Sequence, residues 1–499
     1  MELQTAVEQL KTLQAKMHAY YHAMELIFYD SVTAAPPETD VGRGHTMGIL
    51  SEERHKLFAN EQVGELLAYL ASHKGELDKQ TAREIEELQR DHAMLSRVPV
   101  EEYVAYTRLL NEADNKWLKA KNASDFAIFQ PCLEKIVAFS RKLAGYYAPE
   151  KKPYDALLDQ YERGATMESL DQFFSQLKAE LIPLLERIEA APQIDNSLLQ
   201  RPSPIERQKQ LTQYLMDIMS LDRRYAAVGE TEHPFTVEFN KYDVRITTHY
   251  YEDNLFSSLF SVIHEGGHAL YELNTADELM YTCLGEGASS AIHESQSRFY
   301  ENIIARSEPF LRFLLPKLCE LFPENYANVD AENLYRAVVS VRPSLTRIEA
   351  DEITYPLHIL VRYELEKRLI GGSLSVADLP GEWNRLYQEY LGVEVPDDRR
   401  GVLQDVHWAG GSFGYFPTYA LGSAYGAQFL AAMQRDIDVW GATAKGDLQP
   451  VTAWLKEKIH RHGRMQLPAD LIVHATGEPF DPRYYIEYLK EKYAAVYQL

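Results

Sequence analysis

Cysteine is scarce in this 499-residue chain. Its three residues, Cys132, Cys283 and Cys319, are too few for a disulfide framework and lack metal-cluster spacing, which fits a reducing compartment. Basic charge is in short supply too. With 51 Lys and Arg against 74 Asp and Glu, the formal net charge of −23 repels a polyphosphate backbone, so nucleic acid is not an expected partner. No run approaches about 18 apolar residues, so no membrane span is expected. The start MELQTAVEQLKTLQ has neither the basic opening nor the apolar stretch of a secretory signal. Internal repeats and low-complexity tracts are also missing. These absences together predict a cytoplasmic globular protein, and 45% hydrophobic with 25% charged residues is ordinary for one.

What is present is mostly helical periodicity. Leu3, Val7, Leu10, Met17, Tyr21, Met24 and Phe28 recur at helical steps, and Leu170, Phe173, Leu177, Leu181 and Leu184 form a second such face. Turn-rich segments, PPETDVGRG from Pro36 and APQIDNSLLQRPSP from Ala191, separate the helices. After Gly229 the period changes to two: Phe235, Val237 and Phe239 alternate with polar residues, and Val244 and Ile246 resume the alternation after a polar turn. This predicts a small hairpin. A long helical pattern then runs to about Ile370, and a glycine-rich stretch from Gly401 to Gly422 precedes the last helices. The expected architecture is one mainly α-helical body with a small sheet.

The segment SVIHEGGHALYE carries the chemistry. His264 and His268 stand four apart in a helical apolar pattern, so both imidazoles leave one helix face and can converge on a zinc ion. Glu265 between them can act as general base on an attacking water. Gly266 and Gly267 each cost a helix roughly 1 kcal/mol relative to alanine, so their presence points to close approach by another backbone or a substrate. A catalytic metal needs a third protein ligand, and Glu294 in GASSAIHESQSRFYENI offers a carboxylate on a second helix, with Glu286 and Glu301 as rival acids.

In these features the chain resembles the microbial thermostable metallocarboxypeptidase family, of the thermostable carboxypeptidase 1 type. The resemblance rests on His233-Pro234-Phe235, Asp243-Val244-Arg245-Ile246-Thr247, the His264 to His268 motif, His293-Glu294-Ser295-Gln296, Arg347-Ile348-Glu349-Ala350-Asp351, and the run from Gly401 to Trp408. Thr346 departs from the Ile, Val or Asn that usually precedes that arginine. The resemblance implies a helical metallopeptidase fold with a deep active-site groove and a small sheet beside the motif helix. By it, residues 1–499 form a single catalytic unit in which 1–225 make a groove wall and 226–499 carry the metal site. It further implies a homodimer that removes carboxy-terminal residues from peptides with broad specificity. One divalent metal per chain, zinc with cobalt as the alternative, is implied on His264, His268 and Glu294, with Glu265 as general base and acid.

The other motifs suggest substrate contacts. Asp243, Arg245 and Thr247 share one strand face and can border a groove, or form an ion-pair network behind the metal helix, and the strand edge there can pair with an extended peptide. His233 is placed either to donate to substrate or to cap a turn. Arg347, with two parallel donors, suits a terminal carboxylate; an internal pair with Glu349, Asp351 or Glu352 is its alternative, and Arg399 and Arg400 compete for the role. His407, Tyr415 and Tyr419, in a glycine-rich stretch, can aim donors at an oxyanion, or His407 can brace a neighbour. Two rival functions remain at this level: an internally cutting oligopeptidase, and a helical binding scaffold with a closed structural metal.

Overall fold

The computed structural model describes residues 2–499. The first helix, Leu3–Thr33, is formed as the periodicity predicts, but Phe28 is exposed and of the expected face only Leu10 is fully buried, beside Ala6 and Leu13. These join Val63, Leu67, Leu70, Ile85 and Leu88 in a small apolar core of their own. From Val98 onward most buried apolar side chains belong to a second, much larger core. Packing thus changes hands near residue 97, well before the sequence pattern changes near 225. Helix Met167–Ala190 buries Leu170, Phe173, Leu177, Leu181 and Leu184, and Thr166 and Ser169 reciprocate hydrogen bonds at its start. The turn expected from Pro36 is shorter than its composition implied, because helix Asp40–Phe58 begins inside it and absorbs Gly42 and Gly44.

The sheet has three strands rather than the two of a hairpin: β1 (Ala226–Glu230), β2 (Thr236–Asn240) and β3 (Asp243–Thr248). β2 and β3 form the expected antiparallel pair, with a register shift between Glu238 and Asn240. β1 adds in parallel to β3, pairing Ala226 with Val244. The order β1-β3-β2 makes β3 the central strand, which corrects the expectation of a substrate-pairing edge there; the edge nearest the site is β2. Val244 and Ile246 are buried on the sheet face that carries Thr236 and Glu238, and Val237 and Phe239 on the opposite face with Arg245.

The chain then turns into helix Leu255–Leu273, whose start is capped by the Asn254 side chain. The unbroken run expected to Ile370 is instead a series: Ser290–Arg298, a π-helical turn Phe299–Ala305, Glu308–Leu321, Ala331–Val338 and Tyr355–Gly371. The glycine-rich stretch coils into helix Pro417–Asp436, which crosses Ser290–Arg298 so closely that a side chain at Gly422 would meet Glu294 Cβ at 2.8 Å. Among the described residues no helix is long and apolar enough to cross a membrane.

Candidate active site

The helix Leu255–Leu273 projects His264 and His268 from one face, and Ser290–Arg298 lies across it with Glu294 turned toward them. Glu294 Oε2 is 3.7 Å from His264 Nε2 and 3.5 Å from His268 Nε2. One donor atom from each of the three residues lies within 4.8 Å of the others, a cluster that can hold a metal ion. The crossing depends on Gly267, where a Cβ would sit 2.6 Å from the Gln296 carbonyl oxygen and 2.8 Å from Ser297 Cα. Gly266 faces the Met219 side chain instead. One glycine of the pair therefore admits a neighbouring backbone and the other a side chain.

The outer atoms of the three residues are already engaged. His264 Nδ1 is 2.8 Å from Glu301 Oε2, and His268 Nδ1 is 2.6 Å from His293 Nδ1, whose Nε2 reaches Glu272 Oε1 at 2.6 Å. Arg298 Nε donates to Glu294 Oε1 at 2.7 Å. Both histidines thus present Nε2 inward, the arrangement that fixes tautomer and ring orientation at metal centres. Two imidazole nitrogens and one carboxylate oxygen suit a divalent first-row ion with a position left for water. Of the rival acids, Glu301 lies behind His264, and Glu286 lines the groove 3.5 Å from Arg464 Nη1.

Electrostatics follow from burial and these partners. Burial pushes the Glu294 carboxyl up, but Arg298, His264 and His268 outweigh it and hold it well below the usual range. Burial drives His268 down to about 3. Glu265 is raised by burial, against the opposing influence of His264 and Thr236. The Thr236 hydroxyl on β2 donates its one hydrogen to Glu265 Oε2 at 2.7 Å and lies 3.0 Å from the Glu265 carbonyl oxygen, which pins the side chain beside the histidines.

A groove runs to either side. One lobe, about 750 Å³, is lined by Tyr21, Thr236, Glu238, Glu272, Tyr415 and Tyr419 among others. The other, about 820 Å³, carries His233, Arg298, Arg306, Arg342, Arg347 and Tyr355. His264, Glu265, Glu294 and Tyr419 line both and His268 lines the first, so the two lobes meet at His264 and Glu294.

The outer substrate candidates separate into groups. Tyr415 and Tyr419 reach the groove with ring centroids 5.2 Å apart, and burial pushes Tyr415 up to about 12. His407 does not line either lobe; its Nε2 lies 3.3 Å from the Tyr419 hydroxyl. Arg347 lines the second lobe, but its partner is neither Glu349, Asp351 nor Glu352. Its Nε and Nη2 both donate to Asp405 Oδ1, at 3.1 and 2.9 Å, and Nη1 donates to Tyr355 at 3.2 Å. The Nε–Nη2 edge is therefore taken by Asp405, which leaves one hydrogen on Nη1 and one on Nη2 for a substrate. Arg245 pairs with Asp243 and lies 4.6 Å over the Phe239 ring, so it braces the sheet and lines neither lobe. Arg399 and Arg400 border a separate cavity with Lys121 and Thr346.

Several contributors escaped sequence reasoning. Thr236 is an ordinary strand threonine until the helix beneath it is known. Arg298 stands four residues after Glu294, a helical ion-pair spacing that was readable. Asp405 reaches Arg347 and, through Arg362 Nε at 2.7 Å, a second guanidinium, and no local pattern reveals such a distant pairing.

Comparison with known proteins agrees with this geometry. Residues 9–493 match the family described as carboxypeptidase Taq (M32) metallopeptidase. The chain is 39% identical over 501 residues to carboxypeptidase 1 of Bacillus subtilis, covering 100% of both. It is 37% identical over 485 residues to thermostable carboxypeptidase 1 of Thermus thermophilus, covering 95% of each. Its fold is similar to the crystal structure of an M32 carboxypeptidase from Deinococcus radiodurans, with a TM-score of 0.96 and 33% identity over 99% of this chain and 100% of that one.

Proposed function

The chain belongs to the carboxypeptidase Taq (M32) metallopeptidase family, a metal-dependent hydrolase that removes carboxy-terminal residues from peptides, and from that premise we propose how its own residues do so. His264, His268 and Glu294 hold one divalent ion, with Glu301 and His293 fixing the two imidazoles. A borderline-soft set of two nitrogens and one oxygen favours zinc, with cobalt as the alternative. When bound, the ion supplies Lewis acidity at the scissile carbonyl and a lowered pKa for water. The observation that carries this reading is the pair of inward Nε2 atoms 3.7 and 3.5 Å from one Glu294 oxygen, with Glu265 held beside them by Thr236.

Glu265 takes a proton from the attacking water and returns it to the leaving amine. Tyr415 and Tyr419 donate to the oxygen on which negative charge develops, and the histidine behind, His407, fixes the Tyr419 hydroxyl. Both phenols keep their protons at neutral pH, consistent with donation. Arg347 meets the substrate's terminal carboxylate through Nη1 while Asp405 grips its other edge, and His233 lines the same lobe. Arg245 acts as a brace for the sheet.

The whole chain serves as one catalytic unit: Tyr21 of the first helix and residues 234–464 line the same lobe, so 1–225 supply a wall and 226–499 the reacting groups. The free thiols Cys132, Cys283 and Cys319 suit a reducing, cytoplasmic setting. A homodimer of broad specificity is part of the same proposal, by analogy with the family.

The test compares a peptide with its carboxy-terminal amide. The free acid should lose one residue at a time, and amidation should lower kcat/KM at least about ten-fold, because a charge-assisted contact is worth roughly 1.5–3 kcal/mol. Internal fragments released equally from both peptides would overturn the reading.

A further inference from the structure

The first lobe of the groove contains a carboxylate without a counterion. Glu238 is half-buried on β2, its Oε2 accepts the Tyr21 hydroxyl at 2.9 Å, and among the described residues it forms no ion pair with any basic side chain. The surrounding charges are otherwise committed. Glu272 meets His293 at 2.6 Å, Arg464 lies between Glu87 and Glu286 at 3.4 and 3.5 Å, and Lys241 pairs with Asp277 at 2.6 Å. Arg90 pairs with Asp159, and Arg163 with Glu87. Arg54 lies over the Tyr21 ring, 5.9 Å from its centroid, and makes no ion pair with Glu238. Burial, together with the charges of Glu272 and Glu286, raises the Glu238 carboxyl well above its ordinary value, as expected of an acid lacking a cation.

Its position along the groove is informative. Thr236, which holds Glu265, and Glu238 sit two residues apart on one face of β2, roughly 6.6 Å along the strand. An extended peptide whose scissile carbonyl lies at Glu265 brings the group two residues upstream beside Glu238. A side cavity of about 290 Å³ opens at that point and gives an ammonium group room; the acids Asp91, Glu238, Glu272 and Glu286 line it and outnumber the cations Arg54, Lys241 and Arg464.

We propose that Glu238 recognises a primary ammonium group two residues upstream of the scissile bond, supplied by the α-amine of a tripeptide or by a lysine side chain. This rests on the reading above that the arginine-lined lobe takes the carboxylate end, which leaves the Glu238 lobe for the amino side. Glu238 is thereby a specificity residue for short or lysine-bearing substrates, outside the reacting groups.

The metal-loaded enzyme is assayed on Gly-Ala-Phe, on its N-acetyl form and on N-acetyl-Lys-Ala-Phe. The free tripeptide should exceed the acetylated one in kcat/KM by about ten-fold or more, the size of a charge-assisted hydrogen bond. Recovery of that rate by the lysine peptide identifies the side chain as a second source of the ammonium, and no recovery confines recognition to the α-amine. Glu238→Gln, which keeps the shape and the Tyr21 contact, should bring the free-to-acetylated ratio close to one. Equal rates on all three peptides in the wild type, or an unchanged ratio in Glu238→Gln, would overturn the proposal, and the wild-type series decides even if the variant does not fold. Trimming at equal rates removes only the Glu238 role. No trimming of any free acid removes the carboxypeptidase reading with it.

Discussion

Gly267→Ala puts the crossing of the two ligand-bearing helices to a quantitative test. The added methyl would lie 2.6 Å from the Gln296 carbonyl oxygen and 2.8 Å from Ser297 Cα, and both are backbone atoms that no rotamer change can move. Ordinary contact starts at 3.4 Å, so the helices must part by ~0.8 Å. Metal sites tolerate ligand displacements of about 0.2 Å, and Glu294 sits two residues before Gln296 on the displaced helix. Overpacking of this kind costs about 1–3 kcal/mol, while alanine returns up to about 1 kcal/mol of helix propensity, so the clash wins. The expected result is a lower melting temperature together with metal affinity reduced at least ten-fold, measured by competition with a chelator and by metal content after dialysis. Gly426→Ala is the control at the neighbouring helix crossing, because its methyl would meet Ile303 and the Ser295 carbonyl at 3.5 Å, which is ordinary contact. It should be neutral to stabilising. If Gly267→Ala binds metal and melts as the wild type does, the two-helix explanation of the site is wrong.

Other expectations follow from single contacts. Glu265→Gln should keep the metal and lose roughly 10²–10⁴-fold in kcat, and near-normal turnover with full occupancy would remove it from the mechanism. Glu301→Gln weakens the bond to His264 Nδ1 and should cost about 10- to 100-fold in metal affinity, read by isothermal titration. Burial pushes the Asp405 carboxyl up, but Arg347 and Arg362 outweigh it and set its folded pKa well below the unfolded value near 4. Its contribution is therefore complete above about pH 4 and fades as acidity increases through the folded value, so acid melts of Asp405→Asn should show a flatter loss of stability below pH 4 than the wild type. The same variant at neutral pH leaves two buried guanidinium groups short of a counterion and should lose about 3–5 kcal/mol.

The sequence carried the parts of the molecule that depend on neighbours in the chain. The helical periodicity over Leu3–Phe28 and Leu170–Leu184, the β2–β3 alternation and the four-residue histidine spacing are local patterns, and the folded chain keeps them. β1 was not readable because Ala226–Glu230 buries only its first residue and so shows no alternation to detect. Its parallel pairing gave β3 two neighbours, and of the two roles open to Arg245, groove border or ion-pair network, the Asp243 pair shows the second. Arg347 was recognisable as special, yet its partner lies 58 residues away in a segment whose aspartate looks like any other. Glu301 stood in the sequence as a spare ligand, since spacing alone does not say which nitrogen of His264 a carboxylate will meet.

The π-helical turn at Phe299–Ala305 gives the protein an unusual vulnerability. At 3.6 residues per turn, positions five apart point about 140° away from each other, whereas bonding from residue to fifth residue, as from Arg306 N–H to the Glu301 carbonyl at 3.1 Å, brings them onto one side. That is how Arg306 Nη2 reaches Glu301 Oε1 at 2.9 Å while its guanidinium rests 3.7 Å over Phe260, one turn before His264. The carboxylate that steers His264 is thus aimed by the number of residues in this stretch as much as by their identity. Loss of one codon between Asn302 and Ala305 would relax the turn to an ordinary α-helix and swing Arg306 off Glu301, whereas many apolar replacements in the same stretch would leave that count intact. Gene variants of this protein should accordingly tolerate spelling changes here and be purged of length changes.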